Sequence, residues 1–241
     1  MNELYIFTGG SGTIGKKYIR NISNMNQEIL NIDLFPNDDA KYNITEDLSK
    51  ENIINSLTKF FKDKKSPNII KFVHLASIVG ESQNKNWVTD INNLGIKKSE
   101  ECYTISVTIP AKLISIFTEF AETKAIYINS IYGTHPPDFS IYGNNPFLQN
   151  PMSYGSIKAA QLYSIKWLNS YYKGKLRLNS VSPGGIESQN MDENFKKLYK
   201  GKTLGGSFSS ADDVIKTSEF LLSKEAKSIF GQNIFVDYGF R

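Results

Sequence analysis

Two residues in the segment SYGSIKAAQ (153–161) have the chemistry of an acid–base pair. Tyr154 and Lys158 stand four positions apart, and residues at that spacing share one face of a helix. A free phenol has a pKa of about 10, and a neighbouring ammonium favours the phenolate. Tyr154 could therefore act as general base or acid, with Lys158 lowering its pKa. The alternative is a surface Tyr packed on a Lys stem, and the pair alone does not decide between them.

Ser130 could join this pair. It ends a predicted strand, AIYINS (125–130), and parallel sheets present their sites at the carboxyl ends of strands. Its hydroxyl could orient a substrate oxygen that changes between alcohol and carbonyl; the alternative is a serine that caps the strand. A Ser–His–Asp site is not indicated, because His135 follows Ser130 without a G-x-S-x-G elbow.

The segment TGGSGTIG (8–15) has the composition of a nucleotide-binding turn. Three glycines in G-x-G-x-x-G spacing follow a predicted strand (4–8) and open a predicted helix (13–22), the context that gives this spacing its meaning. The helix N-terminus would offer N–H groups and partial positive charge to a pyrophosphate; the alternative is an ordinary tight turn. The predicted cofactor-binding residues here are Gly9, Gly10, Ser11, Gly12, Thr13, Ile14 and Gly15.

Asp33 ends a second predicted strand, EILNID (28–33). A carboxylate at this position can accept hydrogen bonds from the adenosine ribose and would repel a 2′-phosphate. No Arg follows it, so NAD is predicted over NADP; the alternative is a turn residue before Pro36. Asn43 and Ile44 could flank the adenine, although Asn is also common in turns.

Strand-like and helical runs alternate along the chain, which favours an α/β fold with a parallel sheet covered on both faces. Irregular stretches at 77–98, 131–151 and 184–206 could be lids or binding segments. Further strands are predicted at 41–44, 68–76, 176–182 and 233–237, and further helices at 48–64, 100–121 and 154–172.

The composition excludes several classes of function. The net charge of +4 is spread without a dense basic block, so neither nucleic acid nor a membrane is predicted as a partner. Cys102 is the single cysteine, so no internal disulfide or cysteine metal cluster can form, and no metal is predicted. No stretch approaches about 18 apolar residues and the N-terminus lacks signal-peptide features, so the cytoplasm is the default expectation.

Several motifs stand in a familiar order: TGGSGTIG, Asp33, HLAS (74–77), INS (128–130), YGSIK (154–158), NSVSPGGI (179–186) and GQNIFVD (231–237). With them the chain resembles the short-chain dehydrogenase/reductases over nearly its whole length. The resemblance implies one Rossmann-type domain, 1–241, with a doubly wound parallel sheet of about seven strands, and an assembly of two or four copies. It implies a catalytic Ser130–Tyr154–Lys158 set, with cofactor contacts from Tyr154, Lys158, Leu75, Ala76, Ser77, Pro183, Gly184, Gly185 and Ile186.

The chain also departs from the family pattern. Ser106 stands at a helix position where many members carry an active-site Asn, so whether Ser106 replaces that Asn in proton relay is left open. Tyr238 stands where many members have Gly. The segment 130–160 resembles a bacterial subgroup associated with flagellin glycosylation and surface nonulosonic-acid sugars.

Two segments could contact substrate. The loop 131–151 combines aromatic and amide side chains, which suits a polyhydroxylated ligand but equally suits a small core of its own. Met191, Phe195 and Tyr199 are spaced four apart and predict an amphipathic helix that either closes over substrate or packs in the core. The substrate residues predicted are Tyr132, His135, Met191 and Phe195.

The leading function is an NAD-dependent oxidoreductase acting on a hydroxyl or ketone of a small, sugar-like metabolite. One alternative is a nucleotide-sugar epimerase or dehydratase that recycles its NAD. The other is a non-catalytic NAD(H)-binding regulator, whose usual mark would be a broken Tyr/Lys pair.

Overall fold

A computed structural model describes residues 3–63, 67–78, 95–142, 151–188 and 191–241. Parts of the three irregular stretches predicted at 77–98, 131–151 and 184–206 lie outside these residues, at 79–94, 143–150 and 189–190.

Seven strands form one sheet. They are β1 (Glu3–Thr8), β2 (Glu28–Asp33), β3 (Tyr42–Thr45), β4 (Ile69–His74), β5 (Glu122–Ile128), β6 (Leu176–Pro183) and β7 (Asn233–Val236). Their order is β3-β2-β1-β4-β5-β6-β7, and every neighbouring pair is parallel. The predicted parallel α/β sheet is therefore confirmed.

Helices cover both faces of this sheet. They are α1 (Thr13–Ser23), α2 (Asn52–Asp63), α3 (Ile96–Tyr103), α4 (Ile109–Phe120), α5 (Met152–Tyr171), α6 (Glu193–Gly201) and α7 (Ala211–Leu222). On one face, α2, α4 and α5 bury residues such as Leu57, Leu113 and Leu168. On the other, α1 and α7 bury Ile19 and Leu222. The strand order reverses between β1 and β4, so the ligand crevice is expected at their carboxyl ends.

The α7 helix is not among the predicted elements. A capping box starts it: Ser210 Oγ accepts the Asp213 N–H at 3.2 Å, and the Asp213 carboxylate accepts the Ser210 N–H at 3.0 Å. Such reciprocal bonds satisfy two N–H groups that a helix start leaves without partners. In the sequence, the motif Ser-x-x-Asp before an apolar pattern could have indicated the start of this helix.

The helix predicted over 100–121 is wrong as one continuous element. The helical segment begins earlier, at Ile96, and a π-helical turn at Thr104–Thr108 separates α3 from α4. Such turns are usually single insertions in α-helices and are frequent at functional sites. α4 then carries Pro110 in its first turn, where a missing N–H costs no hydrogen bond. Within the described ranges, no helix is long and apolar enough to cross a bilayer.

Candidate active site

Ser130, Tyr154 and Lys158 come together at the carboxyl end of β5. Ser130 lies two residues beyond the strand, and the other two lie on the buried face of α5. Ser130 hydrogen-bonds to the Tyr154 phenol, and its Oγ also accepts the N–H of Tyr132 at 3.2 Å. The three side chains are 8%, 7% and 2% exposed. Residues separated in sequence thus form one buried polar cluster.

The environment of Tyr154 favours the protonated phenol. Burial is the largest effect and raises the pKa of Tyr154 to about 12, whereas the hydrogen bond with Ser130 lowers it. The Lys158 ammonium lies 5.9 Å from the centroid of the Tyr154 ring. Desolvation of the phenolate therefore sets the direction of the Tyr154 pKa here, and the lowering of this pKa by Lys158 stays a prediction.

Lys158 is held by the strand that leads to Ser130. Its Nζ donates to the Ile128 carbonyl at 3.0 Å, and burial lowers the pKa of Lys158 to about 8. The ammonium form of Lys158 therefore predominates at neutral pH, and half of it would lose the proton at a pH of about 8.

The turn between β1 and α1 is shaped for close approach of a ligand. Gly9 adopts a φ of +74°, and a Cβ there would lie 2.6 Å from the Ala76 backbone nitrogen, so a larger residue would strain and clash. Gly12 is the N-cap of α1, whose first N–H groups are left for a ligand. Ser77 Oγ, beyond the end of β4, is buried and has no hydrogen-bond partner within the described residues. These features fit a dinucleotide.

Asp33 joins this turn to the end of β2. One carboxylate oxygen accepts the Ser11 N–H at 2.9 Å, and the other accepts the Phe35 N–H at 3.2 Å. Ser11 Oγ donates to the Phe35 carbonyl at 2.7 Å. The carboxylate therefore stands at the rim of the glycine turn, where a ribose contact was predicted.

Asn43 and Ile44 already have partners within the protein. Asn43 Oδ1 accepts bonds from Asn31 Nδ2 at 3.1 Å and from the Asn37 N–H at 2.9 Å. Asn43 Nδ2 donates to the Asn37 carbonyl at 3.2 Å, and Ile44 packs on the α2 side of the core. The Asn43 amide thus fixes the loop after β2. This structural role is separate from the predicted contact of Asn43 with adenine.

The predicted cofactor-binding segment 183–186 continues from the carboxyl end of β6. The Gly185 N–H donates to the Tyr199 hydroxyl at 2.5 Å, which fixes the chain beyond β6. Ile186 and Ile14 both pack against the same core. The two predicted cofactor segments therefore pack on the same face of the sheet.

Ser106 lies within the π-helical turn and is fully buried. Its hydroxyl faces Cys102 Sγ at 3.9 Å, and its carbonyl accepts a bond from Gln161 Nε2 at 2.7 Å. Gln161 and its partner Asn129 are buried next to these residues. Neither is among the site residues predicted from the sequence. The available signal was a polar residue on the apolar face of α5, three positions after Lys158.

Three of the four predicted substrate residues pack in one aromatic cluster. Tyr132, Met191 and Phe195 surround a core that includes Tyr142 and Tyr199. The hydroxyls of Tyr132 and Tyr142 hydrogen-bond to each other, and the rings of Tyr142 and Phe195 are 5.3 Å apart. The cluster joins α6 to the loop that follows Ser130.

His135 lies outside this cluster. It is exposed, and its ring packs 5.6 Å from the ring of Phe235 in β7. An ion pair between Asp138 and Lys202, 2.7 Å long, ties the same loop to the end of α6. His135 lines a surface pocket together with Tyr132, but it is not part of the cluster that contains Phe195.

His74, at the end of β4, should make stability sensitive to acid. It is 1% exposed, and its Nδ1 hydrogen-bonds with Thr8 Oγ1 at 2.6 Å. Burial, assisted by the charge of Lys158, lowers the pKa of His74 from 6.5 to about 3. Between these values the unfolded chain binds a proton that the folded chain does not. The free energy of unfolding should therefore fall as pH drops through this window, by about 2 kcal/mol at a pH of about 5.

Urea unfolding of the wild type and of His74→Asn at about pH 7 and about pH 5 would measure this effect. The variant lacks the titrating ring, so its loss of stability between the two pH values should be smaller by about 2 kcal/mol. An equal loss in both proteins would contradict the assignment.

Comparison with known proteins identifies the family. A family model of the short-chain dehydrogenase type, described as Enoyl-(Acyl carrier protein) reductase, matches residues 38–241. Post-translational flagellin modification protein A of Campylobacter coli is 30% identical over 129 residues, 53% of this chain. The match spans 50% of that relative, so this chain corresponds to about half of its length. It agrees with the resemblance to the flagellin-associated subgroup.

Solved structures share the whole fold. A short-chain dehydrogenase from Leptospira borgpetersenii with bound NAD+ has a TM-score of 0.78 at 22% identity, over 100% of this chain and 93% of that chain. A 4-hydroxyisoleucine dehydrogenase complexed with NADH has a TM-score of 0.81 at 21% identity, over 99% and 98%. The family model matches most of the chain, and the sheet order and the Ser–Tyr–Lys cluster agree with it. This chain therefore belongs to the short-chain dehydrogenase/reductase family of oxidoreductases.

Proposed function

We propose that this protein is an NAD-dependent oxidoreductase that interconverts a hydroxyl and a ketone on a small, polar, sugar-like metabolite. The observation that carries the proposal is the buried Ser130–Tyr154–Lys158 cluster at the end of β5, on the same carboxyl edge of the sheet as the glycine turn. The turn at 9–15, Asp33, Ser77 and the segment 183–186 would hold NAD. Bound there, NAD supplies the site with a hydride acceptor or donor.

Tyr154 handles the substrate proton at its hydroxyl oxygen, and Ser130 orients the substrate oxygen. With a pKa of about 12, the phenol is ready to donate a proton, as reduction of a ketone requires. For oxidation near neutral pH the phenolate must be stabilised by roughly 7 kcal/mol. One ammonium close by typically supplies about 1–4 kcal/mol. The positive charge of an oxidised nicotinamide would add to this support.

Two observations support a sugar-like substrate. The aromatic cluster of Tyr132, Tyr142 and Phe195 stands beside Ser130, and aromatic faces with nearby hydroxyls suit a polyhydroxylated ring. The similarity to a flagellin modification protein agrees with the resemblance to the subgroup associated with flagellin glycosylation and surface sugars.

A substrate screen tests this proposal. Purified protein with NAD+ or NADH would be offered sugar phosphates, nucleotide sugars, and deoxy or amino sugars, with simple aliphatic alcohols and ketones as the comparison set. We expect absorbance change at the nicotinamide band with a carbohydrate. Turnover confined to the aliphatic set would overturn the sugar assignment, and product formation without net absorbance change would indicate an epimerase.

Asp33 should set the preference for NADH over NADPH. Asp33→Asn keeps the shape and an acceptor but removes the charge that repels a 2′-phosphate. We expect the ratio of the NADPH and NADH dissociation constants to fall by about tenfold or more. Fluorescence titration of both reduced cofactors measures the ratio.

Asp39→Asn is the matched control. Asp39 lies in the same loop and pairs with Arg20 at 3.1 Å, so its loss should leave the ratio unchanged. Tighter binding of NADPH than NADH by the wild type would overturn the predicted preference.

A second copy of the chain should cover the outer face of α5. Tyr163, Trp167 and Tyr171 form a stripe along it and are 70%, 52% and 67% exposed. Contiguous apolar patches of this kind usually mark interaction surfaces, and the family resemblance implies dimers or tetramers. Sedimentation should show a dimer or tetramer that Trp167→Ser weakens. Phe35→Ser, at an exposed aromatic far from α5, is the control, and a wild-type monomer would contradict the expectation.

A further inference from the structure

Two buried amides connect the elements that carry the reacting groups. Asn129 directly precedes Ser130 and is 4% exposed, and Gln161 lies on α5 and is fully buried. Asn129 Oδ1 accepts the Ser130 N–H at 2.8 Å. Asn129 Nδ2 donates to the Lys158 carbonyl at 3.0 Å and to Gln161 Oε1 at 2.8 Å. Gln161 Nε2 donates to the Ser106 carbonyl at 2.7 Å.

The end of β5 therefore attaches to Lys158 at two points. The Ile128 carbonyl accepts the Lys158 ammonium, and the next side chain, Asn129, bonds the Lys158 carbonyl. Since both bonds are buried, breaking either leaves a polar group without water to replace its partner. This double attachment fixes where Lys158 and Tyr154 stand relative to Ser130.

Gln161 extends the attachment to the π-helical turn. The wider turn at Thr104–Thr108 departs from the regular helical hydrogen-bond pattern, and Gln161 supplies a donor to the Ser106 carbonyl within it. The α3–α4 segment, α5 and the end of β5 are thus joined through one chain of hydrogen bonds. Fully satisfied buried networks of this kind rigidify and specify one arrangement.

We infer that Asn129 and Gln161 are positioning residues, which hold α5 against the end of β5 so that Ser130 and Tyr154 address the same substrate oxygen. The inference rests on the proposed oxidoreductase function. The two amides act through the backbone of Ser130 and Lys158. A misplacement of about 1 Å at a reacting group can cost about 10²-fold in rate.

The test compares Gln161→Met with a control on the same helix. Asn169 also joins α5 to a strand: its Nδ2 donates to the carbonyls of Ile165 and Leu178, both at 2.8 Å, and its Oδ1 accepts the Leu178 N–H at 3.0 Å. We expect Gln161→Met to lower kcat by about 10- to 100-fold with the NADH dissociation constant nearly unchanged. Asn169→Leu should lower the Tm and leave kcat nearly unchanged. Equal fractional losses of kcat at equal losses of Tm would overturn the inference.

Gln161→Glu adds a readout that a purely structural role would not move. A protonated carboxyl at this position can donate to the Ser106 carbonyl and accept from Asn129, whereas a carboxylate cannot donate. Burial raises the pKa of such a carboxyl. We expect kcat near the wild-type value at acidic pH and an added loss as pH rises. A loss of kcat that does not depend on pH would overturn the inference.

These outcomes remain separate from the proposed function. All variants are assayed with the substrate found in the screen and NAD+ or NADH. If no compound in the screen were turned over by the wild type, the proposed function would be wrong, and if Tyr154→Phe kept full turnover, the role proposed for Tyr154 would be wrong, whatever Gln161 does. If Tyr154→Phe were inactive and Gln161→Met behaved like Asn169→Leu, only the positioning inference would be wrong.

Discussion

Replacement of Tyr154 by Phe should lower kcat by about 10²- to 10⁴-fold, the usual contribution of a general acid or base. The ring fits a cluster with Cys102, Val107 and Ile157, so Phe fills the same space and removes only the hydroxyl. NADH should therefore bind with nearly wild-type affinity. Steady-state kinetics and fluorescence titration measure the two effects separately.

Tyr163→Phe is the matched control for this experiment. It lies on the same helix but is 70% exposed, so the identical change should leave kcat unaltered. Normal turnover by Tyr154→Phe would sink the proposed mechanism, because a group other than Tyr154 would then have to move the proton at that oxygen.

Replacement of Lys158 by Met should lower kcat by about 10- to 10³-fold, the range expected when an opposite charge near an ionising group is lost. The Met side chain keeps the apolar stem and removes the ammonium that lies 5.9 Å from the Tyr154 ring. Because the phenolate would lose this support, the loss should be larger for oxidation than for reduction, where the protonated phenol acts. Rates measured in both directions at one pH test the asymmetry.

Lys166→Met controls for the loss of a lysine from α5. Lys166 is exposed and lies two turns further along the helix, so its removal should leave both directions unchanged. An equal loss of oxidation and reduction in Lys158→Met would indicate that Lys158 serves mainly in binding or packing.

The order and type of most elements follow from local pattern. β2 was predicted at its observed bounds, 28–33, because an apolar run flanked by turn residues identifies a buried parallel strand. The helix predicted over 100–121 fails for a related reason. Apolar spacing continues through Thr104–Thr108, and nothing in that spacing reveals the π-helical turn.

The Ser130–Tyr154–Lys158 set and the glycine turn could be predicted from the sequence. Tyr154 and Lys158 are spaced within one helix, the glycines are spaced within one turn, and Ser130 follows a strand. The tertiary structure decided the rest. Burial raises the pKa of Tyr154 to about 12, opposite to what the adjacent lysine predicts, since desolvation depends on everything packed around the phenol.

The tertiary structure also paired Asn129 with Gln161 and Gln161 with Ser106, 32 and 55 positions apart in the chain. Periodicity reports which face of a helix is buried, but it does not report which buried polar groups meet across elements. Those meetings are set by how β5, α5 and the π-helical turn pack, and on them the geometry proposed for Ser130 and Tyr154 depends.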